Sequence, residues 1–494
     1  MSSPLPLYRT QQVREIDARA VERLQLSKFE LMERAGAAAW ALLHKRWPKA
    51  KRIGIACGPG NNGGDGYVLA RLAKMAGCKV HVLIAHGAAP RTSEGRHAAT
   101  LWREAGGRNT HFDSHLPEVD VWVDALYGVG LSRAPESSAQ GVIERINASR
   151  LPVLALDVPS GLDADRGTAF GISLRAHLTL SFIAAKRGLY TGQARDFDGE
   201  VLLDSLGIPG SVLAEFSPAA WLYRPEQLAV GLAPRHANAH KGEYGHVLCV
   251  GGEMGMGGAV RLCAEAALRV GVGLASVATR SEGVAALLAA RPEAMTHAVE
   301  NADALQPLIA RADVLAVGPG LGQGEWGRAL FEAAIASGKP LILDADGLNL
   351  LAEHPRQLSQ AILTPHPGEA ARLLERKTTE IQADRFGAVE ELARRFDCTV
   401  VLKGAGTLVA APDETTAVIG AGNPGMATGG MGDVLTGVIA ALHAQHMSRF
   451  QAAVHGALLH GAAGDAAAKT DGERGLLPSD LFAQLRRMVN PESA

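Results

Sequence analysis

No hydrophobic run in this 494-residue sequence approaches the length of a membrane span, and the opening stretch MSSPLPLYRT has no apolar leader core. Cysteine is scarce and scattered. Cys57, Cys78, Cys249, Cys263 and Cys398 form no CxxC pair, which argues against a disulfide framework or a zinc site and for a reducing, cytoplasmic setting. A surplus of either charge is missing too. Lys and Arg number 49 against 51 Asp and Glu, a net charge of -2, so a basic nucleic-acid-binding surface is not expected, nor is a membrane partner. The patterns GxxxxGK[ST] and HExxH are absent, which removes P-loop NTPases and zincin-type proteases.

What is present is a soluble globular composition, 47% hydrophobic and 20% charged, on a chain long enough for two cores. The opening reads as helical, with Thr10 placed to cap QQVREIDARAVERL and Ser27 forming a capping box with Glu30. From Lys51 onward RIGIAC, KVHVLIA, VDVWVDAL and LPVLALDV read as buried parallel strands, each ending in a polar or Gly-rich loop. The rhythm breaks over a Pro-, Gly- and Ala-rich stretch between about Leu206 and Lys241, and the boundary is expected near 212–222. A second series follows: HVLCVGG, GLASVAT, VLAVGPG, LILDADG, AILTPH and TVVLKGAG. The two halves do not align convincingly, so they are read as different α/β domains, residues 1–215 and 222–494, the first a doubly wound parallel sheet.

GxGxxG occurs at Gly58-Gly60-Gly63, Gly322-Gly324-Gly327 and Gly420-Gly422-Gly425, a weak signal among 57 glycines. Only the first is expected to follow a strand and open a helix. The next strand ends VLIAHG, with His86 where a dinucleotide fold carries an acid for the ribose, so an ordinary NAD-dependent dehydrogenase loses ground.

In GPGNNGGDGYVLARLAKMAG the glycines let backbone approach a ligand while the following helix offers its positive N-terminus. Asp65 there is either an N-cap or a site residue. VDALYGVGLSRA places Asp124 at a strand end, and LALDVPSGLDADRG places Asp157 at the next, with Ser160 beyond. Three adjacent strand ends bearing oxygens beside glycine loops point to one site.

GPGNNGGDG, DALYGVGLSR and DVPSGLDADRG closely resemble the YjeF-type N-terminal domain, the NAD(P)H-hydrate epimerase, over roughly residues 8–212. The resemblance implies substrate phosphates held by Asn61, Asn62, Gly63, Gly64 and Asp65, and by Gly128, Val129, Gly130, Leu131, Ser132, Arg133 and Ala134. It implies Asp157 at the reacting ring and a potassium ion on Asn62, Asp124 and Ser160. Hard oxygen donors of this kind suit an alkali cation better than zinc. Asp157 is expected to assist proton movement at nicotinamide C6; bracing the turn before Pro159 is its structural alternative.

In the second half, KGEYGHVLCVGGEMGMGGAVRLCAEAALRVGVG joins a strand to a long small-residue helix through a glycine loop. AVGPGLG and LTPHPGEAARLL present Gly320 and His366 at strand ends, the histidine held between two prolines. For Asp344 and Asp346 in LDADGLN, capping or loop bracing is the expected role. VLKGAGTLVA brings Lys403, Gly404, Gly406 and Thr407 together as a phosphate cradle of ammonium, backbone N–H and hydroxyl. In GNPGMATGGMGDVLTG, residues Gly429 to Gly432 gather N–H donors at a helix start, with Asp433 placed as a general base or, less in keeping with those glycines, as an N-cap.

These segments resemble the ribokinase-like fold over about residues 225–490, and more narrowly the ADP/ATP-dependent NAD(P)H-hydrate dehydratase. The resemblance implies that Lys403, Gly404, Ala405, Gly406, Thr407 and Gly432 touch the adenine nucleotide, and that Ala259, Gly320, His366 and Asp433 face the hydrated cofactor. ADP as phosphoryl donor, ATP as its alternative, and Mg2+ are inherited in the same way.

The pairing has a chemical logic. Hydroxide leaves a carbinol badly, whereas phosphate leaves well, so a kinase-like site can drive dehydration of one epimer of NADHX or NADPHX. An epimerase then supplies that epimer from the other. The expectation is a cytoplasmic, homo-oligomeric isomerase and lyase that repairs hydrated NAD(P)H. Its rival is a vitamin-precursor kinase fused to a nucleotide-binding module.

Overall fold

The computed structural model describes residues 3–85, 89–230 and 235–490, so His86 lies outside the described residues. The chain divides into two compact units, Pro6–Ala220 and Met1–Leu5 with Trp221–Ala494.

The first unit is built on strands β1 (Arg52–Cys57), β2 (Lys79–Ile84), β3 (Asn109–His111), β4 (Val121–Ala125), β5 (Val153–Leu156), β6 (Leu178–Phe182) and β7 (Glu200–Asp204). They form one parallel sheet in the order β3-β2-β1-β4-β5-β6-β7. The central strands are nearly wholly buried, which is why their sequences run apolar without alternation. β3 and β7 escape the sequence reading because they are edge strands with exposed polar residues. β6 escapes it because Thr179 and Ser181 interrupt the apolar run; Thr179 is satisfied by donating to the Asp198 carbonyl at 2.6 Å.

Helices α1 (Thr10–Leu24), α2 (Lys28–Arg46) and α3 (Asn61–Met75) belong to this unit. Ser27 caps α2, its hydroxyl accepting from Glu30 N at 3.1 Å while Glu30 accepts from Ser27 N at 2.6 Å. The Thr10 expectation is corrected: Thr10 is the first helical residue behind Arg9, and its amide and hydroxyl both donate to Asp165, at 2.7 and 2.8 Å. A long-range carboxylate outcompetes the local cap. The sheet order reverses between β1 and β4, and the loops leaving β1, β4 and β5 open into the crevice at that switch point.

The second unit carries strands β8 (Ala220–Tyr223), β9 (His246–Val250), β10 (Leu274–Thr279), β11 (Met295–Ala298), β12 (Val314–Val317), β13 (Leu341–Leu343), β14 (Ala361–Leu363), β15 (Thr399–Leu402), β16 (Leu408–Ala411) and β17 (Glu414–Ile419). Their order is β11-β10-β9-β12-β13-β14-β15-β16-β17-β8. Pairing is parallel from β11 to β15, while β16 runs antiparallel to β15 and β17. Helices named below are α4 (Gly257–Val270), α5 (Glu325–Ala336), α6 (Ala345–Glu353), α7 (Pro367–Leu374), α8 (Arg385–Phe396), α9 (Met431–Ala444) and α10 (Arg449–Asp471).

α4, α9 and α10 pack into one aliphatic core against the sheet. Gly437 brings α9 close onto α4: a Cβ there would lie 2.0 Å from the Cys263 carbonyl. The start of α9 also lies against α4, where a Cβ on Gly430 would lie 2.8 Å from Leu262 Cδ1. The structure also corrects the reading of the GxGxxG matches, since Gly322-Gly324-Gly327 follows β12 and opens α5, with Gly324 at its N-cap. Strand-to-helix context does not single out the first match.

Candidate active sites

In the first unit, α3 begins at Asn61 with Gly60 as N-cap, so Asp65 stands inside the helix and is not its cap. Close packing dictates the glycines. A Cβ on Gly58 would meet the Leu126 carbonyl at 1.7 Å, and one on Gly63 would meet the Gly58 carbonyl at 2.0 Å. This tight turn delivers Asn62 to the crevice, where its amide is buried with neither Oδ1 nor Nδ2 partnered by protein.

Asp124 and Ser160 meet each other at the ends of β4 and β5. Asp124 accepts from the Ser160 hydroxyl at 2.6 Å, from Ser160 N at 2.7 Å and from Leu126 N at 3.1 Å. Burial pushes the Asp124 carboxyl up to about 6, against the pull of those hydrogen bonds.

Asp157 has a left-handed backbone, φ 65, which turns its carboxylate back over the β6 end. One oxygen accepts from Lys186 Nζ and from Phe182 N. The other lies 3.1 Å from where a Cβ on Gly128 would stand, and the Asn62 Cγ is 3.4 Å from the same point. Asp157 thus braces a turn with one oxygen and faces the Gly128 loop with the other.

A cavity of about 680 Å3 joins these parts, and Asn61, Asn62, Asp65, Asp157 and the whole run Gly128 to Ala134 line it. Asp124 and Ser160 sit behind its wall rather than on it. Three lining groups were not found from sequence: Asp17, Lys186 and Arg14, whose guanidinium donates to the Val129 carbonyl at 2.9 Å and ties down the phosphate-loop candidate. Asp17 and Arg14 lie on α1, whose charges look like an ordinary solvated face. Lys186 is a lone lysine in an apolar stretch, fully buried, and it also donates to Ser181 and Phe182. Burial, reinforced by Asp157 and Asp17, holds the Asp65 carboxyl well above the usual range.

In the second unit the predicted residues fall into adjoining groups. Gly320, at φ 60, brings its loop against the other glycine loop: a Cβ there would lie 2.5 Å from the Met256 carbonyl and 3.3 Å from Ala259 Cβ. Asp346 braces the next turn, accepting from Gly322 N at 2.9 Å and Gln323 Nε2 at 3.0 Å, as read from the sequence. Asp344 departs from that expectation. It holds the N-cap position of α6 yet caps nothing; its oxygens take Lys403 Nζ at 2.7 Å and the Thr436 hydroxyl at 2.9 Å.

His366 caps α7. Its Nδ1 accepts from Gly368 N at 2.9 Å and Glu369 N at 3.3 Å, so the neutral ring carries its proton on Nε2, which lies 3.4 Å from a Glu369 carboxylate oxygen. Burial and the nearby Lys403 push the ring below its ordinary value. Past Lys403, Gly404 adopts φ 137, Thr407 donates to the Gly404 carbonyl at 3.0 Å, and buried Arg385 of α8 holds the Leu402 and Lys403 carbonyls at 3.3 Å. This shapes the loop that carries Ala405 and Gly406.

Gly430, at φ 93, opens α9, and Gly432 stands in its first turn directly over the Lys403–Asp344 pair. Asp433 follows as the third helical residue, not as the cap. Burial first, then Asp344, pushes its carboxyl up to about 7, while Lys403 pulls the other way. A carboxylate poised there, beside backbone N–H groups at a helix start, can take a proton from a hydroxyl next to a bound phosphate.

Residues 28–188 match the family described as YjeF-related protein N-terminus, and residues 247–487 match the family described as NAD(P)H-hydrate dehydratase. Over 495 residues the chain is 47% identical to the bifunctional NAD(P)H-hydrate repair enzyme Nnr of Coxiella burnetii, spanning 98% of this chain and 99% of that one. It is 45% identical over 493 residues to Nnr of Escherichia coli, spanning 100% and 95%. Among solved structures it is similar to a ribokinase-like superfamily protein from Enterococcus faecalis, at 27% identity and TM-score 0.52, over 56% of this chain and 97% of that one. A hypothetical protein of Streptococcus mutans matches at 32% identity and TM-score 0.51, over 55% and 98%.

Proposed function

This chain belongs to the family of bifunctional NAD(P)H-hydrate repair enzymes, and on that premise we propose that it epimerises the hydrates of NADH and NADPH at C6 and dehydrates the S epimer with ADP. Epimerisation is assigned to residues 1–215 and dehydration to 222–494. The observation that carries this reading is the place of Asp433, third residue of α9 and one beyond the glycine that stands over the Lys403–Asp344 pair, with its carboxyl pushed up to about 7 chiefly by burial.

In the dehydratase half, Asp433 removes the proton of the C6 hydroxyl, and the alkoxide attacks the terminal phosphorus of the nucleotide. Gly432 and the N-terminal N–H groups of α9 stabilise the charge on the transferring group. Phosphate then leaves C6 as a proton leaves C5, restoring the dihydropyridine. Lys403 to Thr407 hold the nucleotide, while Ala259, Gly320 and His366 orient the hydrate. ADP is the inherited donor, with ATP as its alternative. Among the described residues no group of three or more His, Cys, Asp or Glu is arranged to hold a metal ion, so Mg2+ would enter on the nucleotide phosphates and screen their charge.

In the epimerase half, the nicotinamide N1 lone pair expels the C6 hydroxyl as water, with Asp157 giving the proton. Water re-adds to C6 from either face and returns a proton to Asp157. The loops at Asn61 to Asp65 and Gly128 to Ala134 hold the substrate phosphates. The unpartnered buried oxygen of Asn62 and the oxygens of Asp124 and Ser160 are hard donors that suit a potassium ion, which would hold the Gly128 loop in place electrostatically. Gly128→Ala puts a methyl 3.1 Å from Asp157 Oδ2 and should slow epimerisation about tenfold with the dehydratase untouched, as read by the interconversion of resolved epimers.

Because Asp433 acts ionised, dehydration should fall on acidification through about pH 7, where the carboxyl takes up its proton. Initial rates with saturating S hydrate and ADP between about pH 5 and 9 check this; a flat profile refutes it.

The deciding experiment supplies racemic NADH hydrate, ADP and potassium and follows NADH absorbance. Full return with release of free phosphate supports repair; a stable phosphorylated product supports a vitamin-precursor kinase. Among the described residues no helix is long and apolar enough to cross a membrane. The enzyme is read as a cytoplasmic homo-oligomer without nucleic-acid partners, and size-exclusion with light scattering tests its assembly.

A further inference from the structure

Asp344 has no part in the chemistry above, yet it is the most enclosed carboxylate at the dehydratase site, with its side chain 2% exposed. It stands where an aspartate ordinarily caps a helix and makes no cap bond. Instead it joins three elements: the end of β13, Lys403 after β15 at 2.7 Å, and Thr436 in the second turn of α9 at 2.9 Å. A Cβ on Gly432 would lie 3.3 Å from both Asp344 Oδ2 and Lys403 Nζ, so the pair lies directly beneath the turn that carries Asp433. Desolvating two charges gains little stability over apolar packing. A pair retained here has something else to do.

We propose that Asp344 is a positioning residue for dehydration: it locks the Lys403 ammonium under Gly432 and keeps negative charge beside Asp433, so that Asp433 can hold the proton it captures. The inference rests on the dehydratase reading of this site. Four charged groups act on Asp433: Asp344, Asp346 and Glu369, which favour its protonated form, and Lys403, which opposes it. Glu369 lies 3.8 Å from Lys403 at the start of α7. From the helices packed on α9, the Cys263 thiol of α4 is raised in part by Asp433 and Asp344, and the His460 ring of α10 is lowered in part by Lys403. His366 on α7 is lowered by the same ammonium. Three carboxylates against one ammonium leave the surroundings net negative. Of these Asp344 acts most strongly, so removing it alone leaves Lys403 opposed only by the weaker Asp346 and Glu369 and makes Asp433 a weaker base.

The test compares pH–rate profiles for NADH return by wild type, Asp344→Asn and Lys403→Met. Asp344→Asn should move the acid limb down by about one pH unit or more and lower the plateau rate about 10–100-fold, with the KM for the hydrate changed less than about threefold. Lys403→Met should move the limb upward. A purely structural role would lower the amount of folded enzyme and leave the limb where it was. Unmoved limbs in both variants overturn the proposal. If Asp344→Asn does not fold, Lys403→Met decides, and a limb that stays or falls overturns it. Titration of the Asp433 carboxyl by 13C NMR, assigned by its loss in Asp433→Asn, runs independently of turnover. A wild type that never returns NADH rejects the dehydratase reading, whereas an Asp433 titration identical in all three proteins overturns the Asp344 assignment whatever the activity.

Discussion

Asp433→Asn is expected to abolish nucleotide-dependent return of NADH, by about 10²–10⁴-fold in rate, while the protein still interconverts the two hydrate epimers. The amide keeps the shape of the carboxylate and cannot take a proton. The substitution should also be mild for the fold, because Asp433 caps nothing and its charge is held in a net negative, buried setting. Its unfolding midpoint should stay at or above that of wild type, and nucleotide affinity should change little. Calorimetry with ADP and a thermal melt check both. A variant that loses NADH return together with nucleotide binding would show that Asp433 supports the loop rather than the chemistry.

Asp157→Asn should leave dehydration of the pure S hydrate intact and stop conversion of a racemic mixture at about half, once spontaneous epimerisation is subtracted. The epimerisation rate itself should drop about 10²–10⁴-fold. This substitution carries a cost that the other does not. Lys186 is wholly buried, and Asp157 is its carboxylate partner, so the single change strands an ammonium and destabilises the first unit by about 3–5 kcal/mol. The double variant Asp157→Asn/Lys186→Met removes both charges and should recover much of that stability without recovering the rate. Rate and stability regained together would reduce Asp157 to a turn-bracing residue.

The two halves differ in how far the sequence leads. Central strands such as Arg52–Cys57 and Thr399–Leu402 are legible because burial on both faces writes an unbroken apolar run. Edge strands such as Asn109–His111 are illegible because nothing is buried to mark them. Site residues follow the same division. Asn61 to Asp65, Gly128 to Ala134 and Gly429 to Asp433 are contiguous motifs whose glycines announce close backbone approach. Lys186 stands 29 residues from Asp157, and Asp17 sits on α1, ahead of the first strand of the parallel sheet, with no local pattern to mark either.

What the sequence alone determined, then, is everything written locally: two α/β units, glycine loops at strand ends, and the carboxylates in those loops. A short-range pattern suffices there for glycines such as Gly58 and Gly63, which answer clashes with the adjacent strand end or within their own turn. Tertiary structure alone decided which charges face one another. Asp344 reads from its neighbours as a helix cap, and only folding brings it to Lys403, 59 residues on, and to Thr436, 92 residues on. A hydrogen bond to a cap is worth about 1 kcal/mol, whereas a buried ammonium without a counter-charge costs several. The ammonium therefore draws the carboxylate away from the cap.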